Sequence, residues 1–115
     1  MRKSLISAER LSDAKAIKCL FQHGKRVEGI WTRLVFLANG KELNRVLVTV
    51  KKGFKSAVAR NRQKRVVREI YRLNKEMLKA GFDIALVVKK EQTDYHILAQ
   101  EVILLFRHAG MWSSL

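Results

Sequence analysis

The spacing of hydrophobic and polar positions predicts three helices and three strands. Apolar residues recur at helical spacing over 16–21 and 98–106, and the segment 57–80 has the composition of a long helix, with neither Gly nor Pro. Runs of branched, aromatic and apolar residues indicate three strands, at 30–37, 46–50 and 84–88. The elements follow one another in the order α-β-β-α-β-α, which predicts an α+β fold.

Turn-forming and capping residues set the expected ends of these elements. Ser12 followed by Asp13 is suited to cap the first helix, and Gly24 is suited to end it in the left-handed conformation. Thr93 is suited to cap the last helix. The pair Asn39-Gly40 is typical of a hairpin turn, so we expect the first two strands to be paired neighbours.

The composition marks no linker, because the chain has no proline, no repeat and no low-complexity tract. We therefore predict one domain over residues 1–115, with a loosely ordered segment at 1–9. The apolar runs are too short to cross a bilayer, and charged residues interrupt the N-terminal stretch that a secretory signal would need. A single cysteine, Cys19, cannot form an internal disulfide. These features together predict a cytoplasmic protein with no membrane partner.

The charge of the chain narrows the choice of partner. It carries 24 Lys and Arg against 10 Asp and Glu, a net charge of +14, which favours a polyanion. Between residues 51 and 79 stand eleven Lys and Arg and only two acids, Glu69 and Glu76. A charged stripe on a helix is often no more than a solvated face, but solvated faces usually mix both signs. The imbalance therefore favours binding of nucleic acid to this helix.

The centre of the basic segment carries a specific motif. It reads Arg60-Asn61-Arg62-Gln63-Lys64-Arg65-Val66-Val67-Arg68-Glu69 and follows Lys51-Lys52. This motif resembles the signature of the bacterial ribonuclease P protein family, Arg-Asn-Arg-x-Lys-Arg-x-x-Arg-Glu. Two further segments, 20–24 and 82–90, resemble the end of the family's first helix and its last strand. The resemblance spans most of the chain, from residue 10 to residue 108.

The resemblance implies a two-layer α/β sandwich with a small mixed sheet. Its strand-helix-strand crossover would be left-handed and would comprise 46–50, the basic helix and 84–88. Pattern reasoning alone favours a right-handed crossover, as in about 98% of cases. Before Lys51 the chain lacks the Gly and the small residue that the family commonly has, so the strand register over 47–52 is left open.

The resemblance also implies a function, as the protein subunit of a ribonucleoprotein that removes the 5′ leader of precursor tRNA. In the family, the RNA subunit performs this endonuclease chemistry with magnesium ions. We therefore expect the catalytic RNA and precursor tRNA as partners, and Mg2+ as a cofactor held mainly by the RNA. The acidic residues form no tight cluster along the sequence that would hold two metal ions. We expect neither a catalytic residue nor a metal site in this chain.

We expect the basic segment to contact the RNA subunit. The resemblance implies this role for the motif residues, although Asn61 has an alternative role, to fix the first turn of the helix. Guanidinium groups bind phosphate oxygens in bidentate fashion, and an A-form duplex presents its backbone and 2′-hydroxyls rather than a readable major groove. With neighbouring cations included, the predicted RNA-binding set is Lys51, Lys52, Lys55, Arg60, Asn61, Arg62, Lys64, Arg65, Arg68 and Arg72.

A second surface implied by the resemblance is a cleft between the first helix and the sheet, which binds the single-stranded leader. Phe21 matches an aromatic position of that cleft, and Ile17 stands where the family often has Phe. On the first strand, alternation sends Leu34 and Phe36 to one face, which is favoured for the core. The same alternation sends Trp31, Arg33 and Val35 to the other face, which is favoured for the cleft. The predicted cleft residues are Ile17, Phe21, Trp31, Arg33 and Val35.

Two other functions share some of these features. A non-enzymatic RNA-binding module such as a ribosomal protein would have the same charge and small α+β size, and selectivity for leader-bearing over mature tRNA would separate the two. A helix-borne binder of duplex DNA ranks third, because the basic stripe spans too much of one helix for a recognition element alone. No DNA partner is expected.

Overall fold

The computed structural model describes residues 7–54 and 56–113. Lys55 and the segment 1–6, for which predictions are made above, lie outside the described residues. The helices are α1 (Ala14–His23), α2 (Ala57–Asn74) and α3 (Tyr95–His108), with 3₁₀ turns at Ser7–Glu9 and Lys75–Met77. The strands are β1 (Lys25–Glu28), β2 (Thr32–Ala38), β3 (Arg45–Val50) and β4 (Phe82–Val88).

The four strands form one mixed sheet in the order β1-β2-β4-β3. β4 pairs antiparallel with β2 and parallel with β3, and α2 makes the long connection that two parallel neighbours require. β4 is apolar along most of its length and is buried on both faces, which suits a central strand. The parallel register sets Val46 opposite Ile84 and Val50 opposite Val88, and this fixes the register that the sequence leaves open.

The hairpin predicted at Asn39-Gly40 is wrong, because β4 lies between β2 and β3. The connection 39–44 crosses the end of β4 instead of turning back on itself. The Asn39 amide donates a hydrogen bond of 3.0 Å to the buried carboxylate of Asp83, which also accepts two bonds of 2.8 Å from Arg45. A residue of the central strand thus anchors both ends of the crossing.

Helices cover both faces of the sheet. α2 and α3 pack over the larger core on one face, which contains Leu34 and Phe36 as predicted. α1 packs on the other face, where Leu20 meets Val35 in a smaller apolar cluster. The main core is therefore the expected sandwich, and α1 adds a partial layer behind it. Arg33, the next residue of β2 on the α1 face, stays partly exposed.

Several elements differ from those expected, in addition to the start of β2. β1 is absent from the prediction, because Lys25–Glu28 is polar, mostly exposed and gives no apolar run. The long helix ends at Asn74 and not at Ala80, since Lys75–Met77 tightens into a 3₁₀ turn. Gly24 has φ −69° and is not left-handed, because the chain continues directly into the extended conformation of β1.

Aspartate residues cap the first and last helices, α1 and α3. The Asp13 side chain accepts a hydrogen bond of 3.1 Å from the N–H of Lys15, which confirms Asp13 as the cap of α1. At α3, Asp94 rather than Thr93 is the cap, and its carboxylate accepts from the N–H groups of the next turn at 2.9 and 3.2 Å. None of the helices in the described part of the chain has the length and apolar character needed to cross a bilayer.

Candidate nucleic-acid interface

Helix α2 holds the basic motif on a firmly anchored frame. Ser56 caps the helix, with its side-chain oxygen accepting from the N–H of Ala59 at 3.1 Å. One side of the helix is buried in the larger core through Val67, Ile70 and Tyr71. The helical period then places Arg62, Arg65 and Arg68 away from that side. Arg60 is exposed at the start of the helix, before the buried side begins at Gln63. The amphipathic pattern that folds the helix therefore also presents its cations to solvent.

Gln63 is a structural residue inside the motif, and sequence reasoning does not identify it. Its side chain is almost fully buried and pairs with the backbone of Gln92. The Gln63 Nε2 donates to the carbonyl oxygen of Gln92 at 3.0 Å, and its Oε1 accepts from the N–H of Gln92 at 3.2 Å. This ties the start of α2 to the loop between β4 and α3. The available signal is position, because Gln63 precedes Val67 and Ile70 at helical spacing on the buried face.

We call the exposed side of the motif, together with the two lysines before it, the basic surface. Its members are exposed, apart from the half-buried Lys64. Within the residues that the structure describes, none of these side chains forms an ion pair or a hydrogen bond. Their charge is therefore not neutralised by the protein's own carboxylates. The basic surface consists of Lys51, Lys52, Arg60, Asn61, Arg62, Lys64, Arg65 and Arg68.

The structure bears on the two roles considered for Asn61. The capping role at the first turn of α2 belongs to Ser56. The Asn61 side chain is exposed and points to no hydrogen-bond partner among the described residues. Contact with RNA stays a prediction for Asn61, and the structural alternative loses its basis.

The basic surface ends after Arg68, because the next cations are engaged within the protein. Arg72 Nε donates to Glu69 Oε2 at 3.0 Å, and Arg72 Nη2 contacts the other oxygen. These hydrogen bonds raise the pKa of Arg72 and lower the pKa of Glu69. One turn later, Lys75 Nζ lies 3.0 Å from Glu9 Oε1. RNA contact by Arg72 stays a prediction, at the margin of this surface.

Four of the five predicted cleft residues lie where α1 packs on the sheet. Ile17 and Phe21 of α1 are half-buried in the smaller apolar cluster, and Val35 of β2 is completely buried in it. Arg33 precedes Val35 by two residues on the same face of β2 and is partly exposed. Val35 therefore forms the floor, where a ligand cannot reach it. Ile17, Phe21 and Arg33 have surface that a ligand can contact.

Trp31 does not belong to this cleft, so its placement by strand alternation is wrong. It precedes β2 and packs against the larger core, on the opposite side of the sheet. The carboxylate of Glu101 on α3 accepts hydrogen bonds from the N–H groups of Ile30, Trp31 and Thr32 at 2.5, 3.0 and 2.8 Å. These bonds draw the turn toward α3, so the alternation of β2 does not extend back to Trp31.

Metal-binding side chains do not converge in the described part of the chain. No group of three or more His, Cys, Asp or Glu is placed there to hold an ion. The described residues thus do not fit a magnesium site held by the protein.

Comparison with known proteins identifies the family. A family model described as Ribonuclease P matches residues 5–110. The chain belongs to the ribonuclease P protein family. The ribonuclease P protein component of Thermotoga maritima is 31% identical over 113 residues, which cover 93% of this chain and 97% of that protein. The component from Desulfatibacillum aliphaticivorans is 38% identical over 109 residues, covering 93% and 92%.

Solved structures of the family share the fold. The RNase P protein from Thermotoga maritima superposes with a TM-score of 0.77 at 33% identity, over 86% of this chain and 96% of that one. The RNase P protein of Staphylococcus aureus superposes with a TM-score of 0.83 over 93% and 100% of the two chains, at an identity of 18% that speaks for the fold alone. The predicted family and fold class are confirmed. The chain is a protein component of the ribonuclease P endoribonuclease, a ribonucleoprotein of tRNA processing.

Proposed function

We propose that the basic surface binds the RNA subunit of ribonuclease P and that the cleft beside α1 holds the 5′ leader of precursor tRNA, in the cytoplasm. The RNA subunit hydrolyses the phosphodiester with the magnesium ions that it holds, and this chain supplies no reacting group. The observation that carries the proposal is a helix face of exposed cations with no carboxylate partner among the described residues, in a chain of this family.

The geometry of α2 suits a folded RNA. From Arg60 to Arg68 the helix rises about 12 Å, so its guanidinium groups can engage several phosphates of an RNA backbone. The Ser56 cap and the Gln63 anchor fix the helix before RNA binds, so less conformational entropy is lost on binding. Binding also relieves the mutual repulsion of the cations, which costs the free protein stability.

The cleft suits unpaired nucleotides. The half-buried ring of Phe21 offers a face on which a base can stack, and Ile17 one turn earlier offers apolar contact without stacking. Arg33 at the end of the cleft can pair with a backbone phosphate. The protein would thereby add affinity for the leader, outside the chemistry that the RNA performs.

The test of the proposed function is reconstitution with the cognate RNA subunit. Purified protein should raise the rate of precursor tRNA cleavage at low magnesium concentration, and it should cleave nothing without the RNA. Absence of any stimulation, or cleavage by the protein alone, would contradict the proposal.

Leader binding has a separate test in the same holoenzyme. Affinity for leader-bearing precursor should exceed affinity for mature tRNA, and the excess should shrink as the leader is shortened. Equal affinities would leave the protein as an RNA-binding module that assembles with the RNA subunit without recognising the leader.

A further inference from the structure

Arg33 in the cleft and Lys89 just after β4 share a single carboxylate, that of Glu28. Arg33 Nε donates to Glu28 Oε2 at 2.6 Å, and Lys89 Nζ donates to Glu28 Oε1 at 2.9 Å. The Glu28 side chain at the end of the edge strand β1 is 51% exposed, whereas those of Arg33 and Lys89 are 26% and 18% exposed. The carboxylate therefore lies on the solvent side of two half-buried cations.

The fold holds the backbone of both residues in place without help from Glu28. Arg33 lies within β2, directly opposite Val87 of the central strand. The N–H of Lys89 donates to the carbonyl oxygen of Trp31 at 2.8 Å, in the turn that Glu101 fixes from α3. If the Glu28 side chain rotated away, both residues would keep their backbone positions, and their charged groups would stay on the same face of the sheet.

Glu28 occupies a position that suits a phosphate. A backbone phosphodiester carries one negative charge and two terminal oxygens, as a carboxylate does, and guanidinium and ammonium groups bind either. Because Arg33 stands two residues before Val35 on the same face of β2, the position lies beside the cleft floor under α1. A single strand held by Ile17 and Phe21 would bring its backbone to this point.

We propose that Arg33 and Lys89 form a phosphate subsite for the leader and that Glu28 is an intramolecular competitor, displaced when the leader binds. The inference rests on the proposed binding of the leader in the cleft. It makes Glu28 a residue that sets leader affinity without contacting the leader in the bound state. The ionised state of Glu28 agrees with this role, since its hydrogen bonds with Lys89 and Arg33 lower its pKa.

The competitor role predicts opposite effects for substitutions on the two sides of the ion pair. In the reconstituted holoenzyme, Glu28→Gln should raise the ratio of precursor to mature tRNA affinity about threefold to tenfold, because the subsite no longer has to release a bound charge. Lys89→Gln should lower that ratio. A purely structural ion-pair network would make both substitutions change the ratio in the same direction.

Salt dependence gives a second readout. For the Glu28→Gln holoenzyme, the log-log slope of precursor affinity against salt should steepen by about 0.7 for each cation that gains a phosphate without losing a carboxylate. Glu42→Gln is the matched control, because Glu42 is exposed, undergoes the same change of charge and lies in the connection 39–44 at the other end of the sheet.

The outcomes separate this inference from the proposed function. Suppose that the wild-type holoenzyme prefers the precursor, and that Glu28→Gln and Glu42→Gln have the same affinity ratio and the same salt slope. The competitor role of Glu28 is then overturned, and leader binding stands. If Glu28→Gln and Lys89→Gln both lower the ratio, the competitor is also overturned. If the wild-type holoenzyme has no preference for the precursor, the leader cleft fails and the subsite fails with it.

Discussion

Adjacent residues of the basic motif have different physical roles. Arg62 is exposed and has no ion pair among the described residues, whereas Gln63 is buried and bonded to the loop that precedes α3. The motif itself marks Arg62, because the signature specifies arginine there. Gln63 occupies the variable position, and its partner is the backbone of Gln92. A bond to backbone distant in the chain leaves no pattern in one sequence.

Substitution of Gln63 should therefore affect folding rather than RNA binding. Gln63→Ala removes both partners of the Gln92 peptide groups and should lower the free energy of unfolding by about 1–3 kcal/mol in urea titrations. Arg62→Ala is the neighbouring control and should change that free energy by less than about 0.5 kcal/mol. Equal stabilities of the two variants would show that the Gln63 contact contributes nothing.

Tyr71 predicts how the stability of the protein depends on alkaline pH. Burial raises the pKa of its hydroxyl above the ordinary value of 10.0, and the charge of Glu9 adds to the effect. Above about pH 10 the unfolded chain loses this proton while the folded chain keeps it, so stability falls by about 1.4 kcal/mol per pH unit from this group. The contribution is complete below pH 10 and is lost as pH rises toward the folded pKa.

The comparison of two tyrosine variants isolates this contribution. Tyr71→Phe should lose less stability than wild type between about pH 10 and pH 11, because its ring cannot ionise. Tyr95→Phe changes an exposed tyrosine and should follow the wild-type curve. Parallel pH curves for wild type and Tyr71→Phe would contradict the assignment.

At the scale of elements, periodicity predicts which helices and strands exist but not how the strands pair. The apolar run of β4 indicates a buried strand, yet its position between β2 and β3 follows from the crossing at Asp83, a long-range contact. β1 has no apolar run, because an edge strand with mostly exposed side chains needs none. Alternation places Arg33 and Val35 correctly and fails at Trp31, where the strand has not yet begun and Glu101 directs the backbone.

The Glu101 contact has a measurable consequence for the β1–β2 turn. Its carboxylate accepts from three successive N–H groups, and Gly29 leaves the room, since a Cβ there would lie 2.5 Å from the carboxyl carbon. Glu101→Gln puts an amide donor against N–H donors and should lower the free energy of unfolding by about 2 kcal/mol. The exposed Glu91→Gln is the control. An unchanged denaturant midpoint for Glu101→Gln would contradict this role.

At the scale of the whole molecule, the fold concentrates part of the net charge of +14 on one surface. Helices on both faces give a core on each side of the sheet, and the motif side of α2 remains outside both. Composition predicts a polyanionic partner, and the motif restricts it to one family. The structure adds where the basic surface ends along α2. Glu69 and Glu9 form ion pairs with Arg72 and Lys75, and this limits the surface on α2 to the first half of the helix.

The role of the basic surface is tested by the salt-dependent affinity of the Arg62→Ala, Arg65→Ala double variant for the RNA subunit. Loss of two phosphate contacts should weaken binding by at least about tenfold and reduce the log-log salt slope by about 1.4–1.8. The control is the Lys41→Ala, Lys79→Ala variant, which removes the same charge from exposed positions outside the basic surface.

With thermal unfolding of both variants near that of wild type, we expect weaker affinity and a shallower slope for the arginine variant only. Wild-type affinity and slope in the arginine variant, or the same losses in the lysine variant, would show that the basic surface does not bind the RNA subunit.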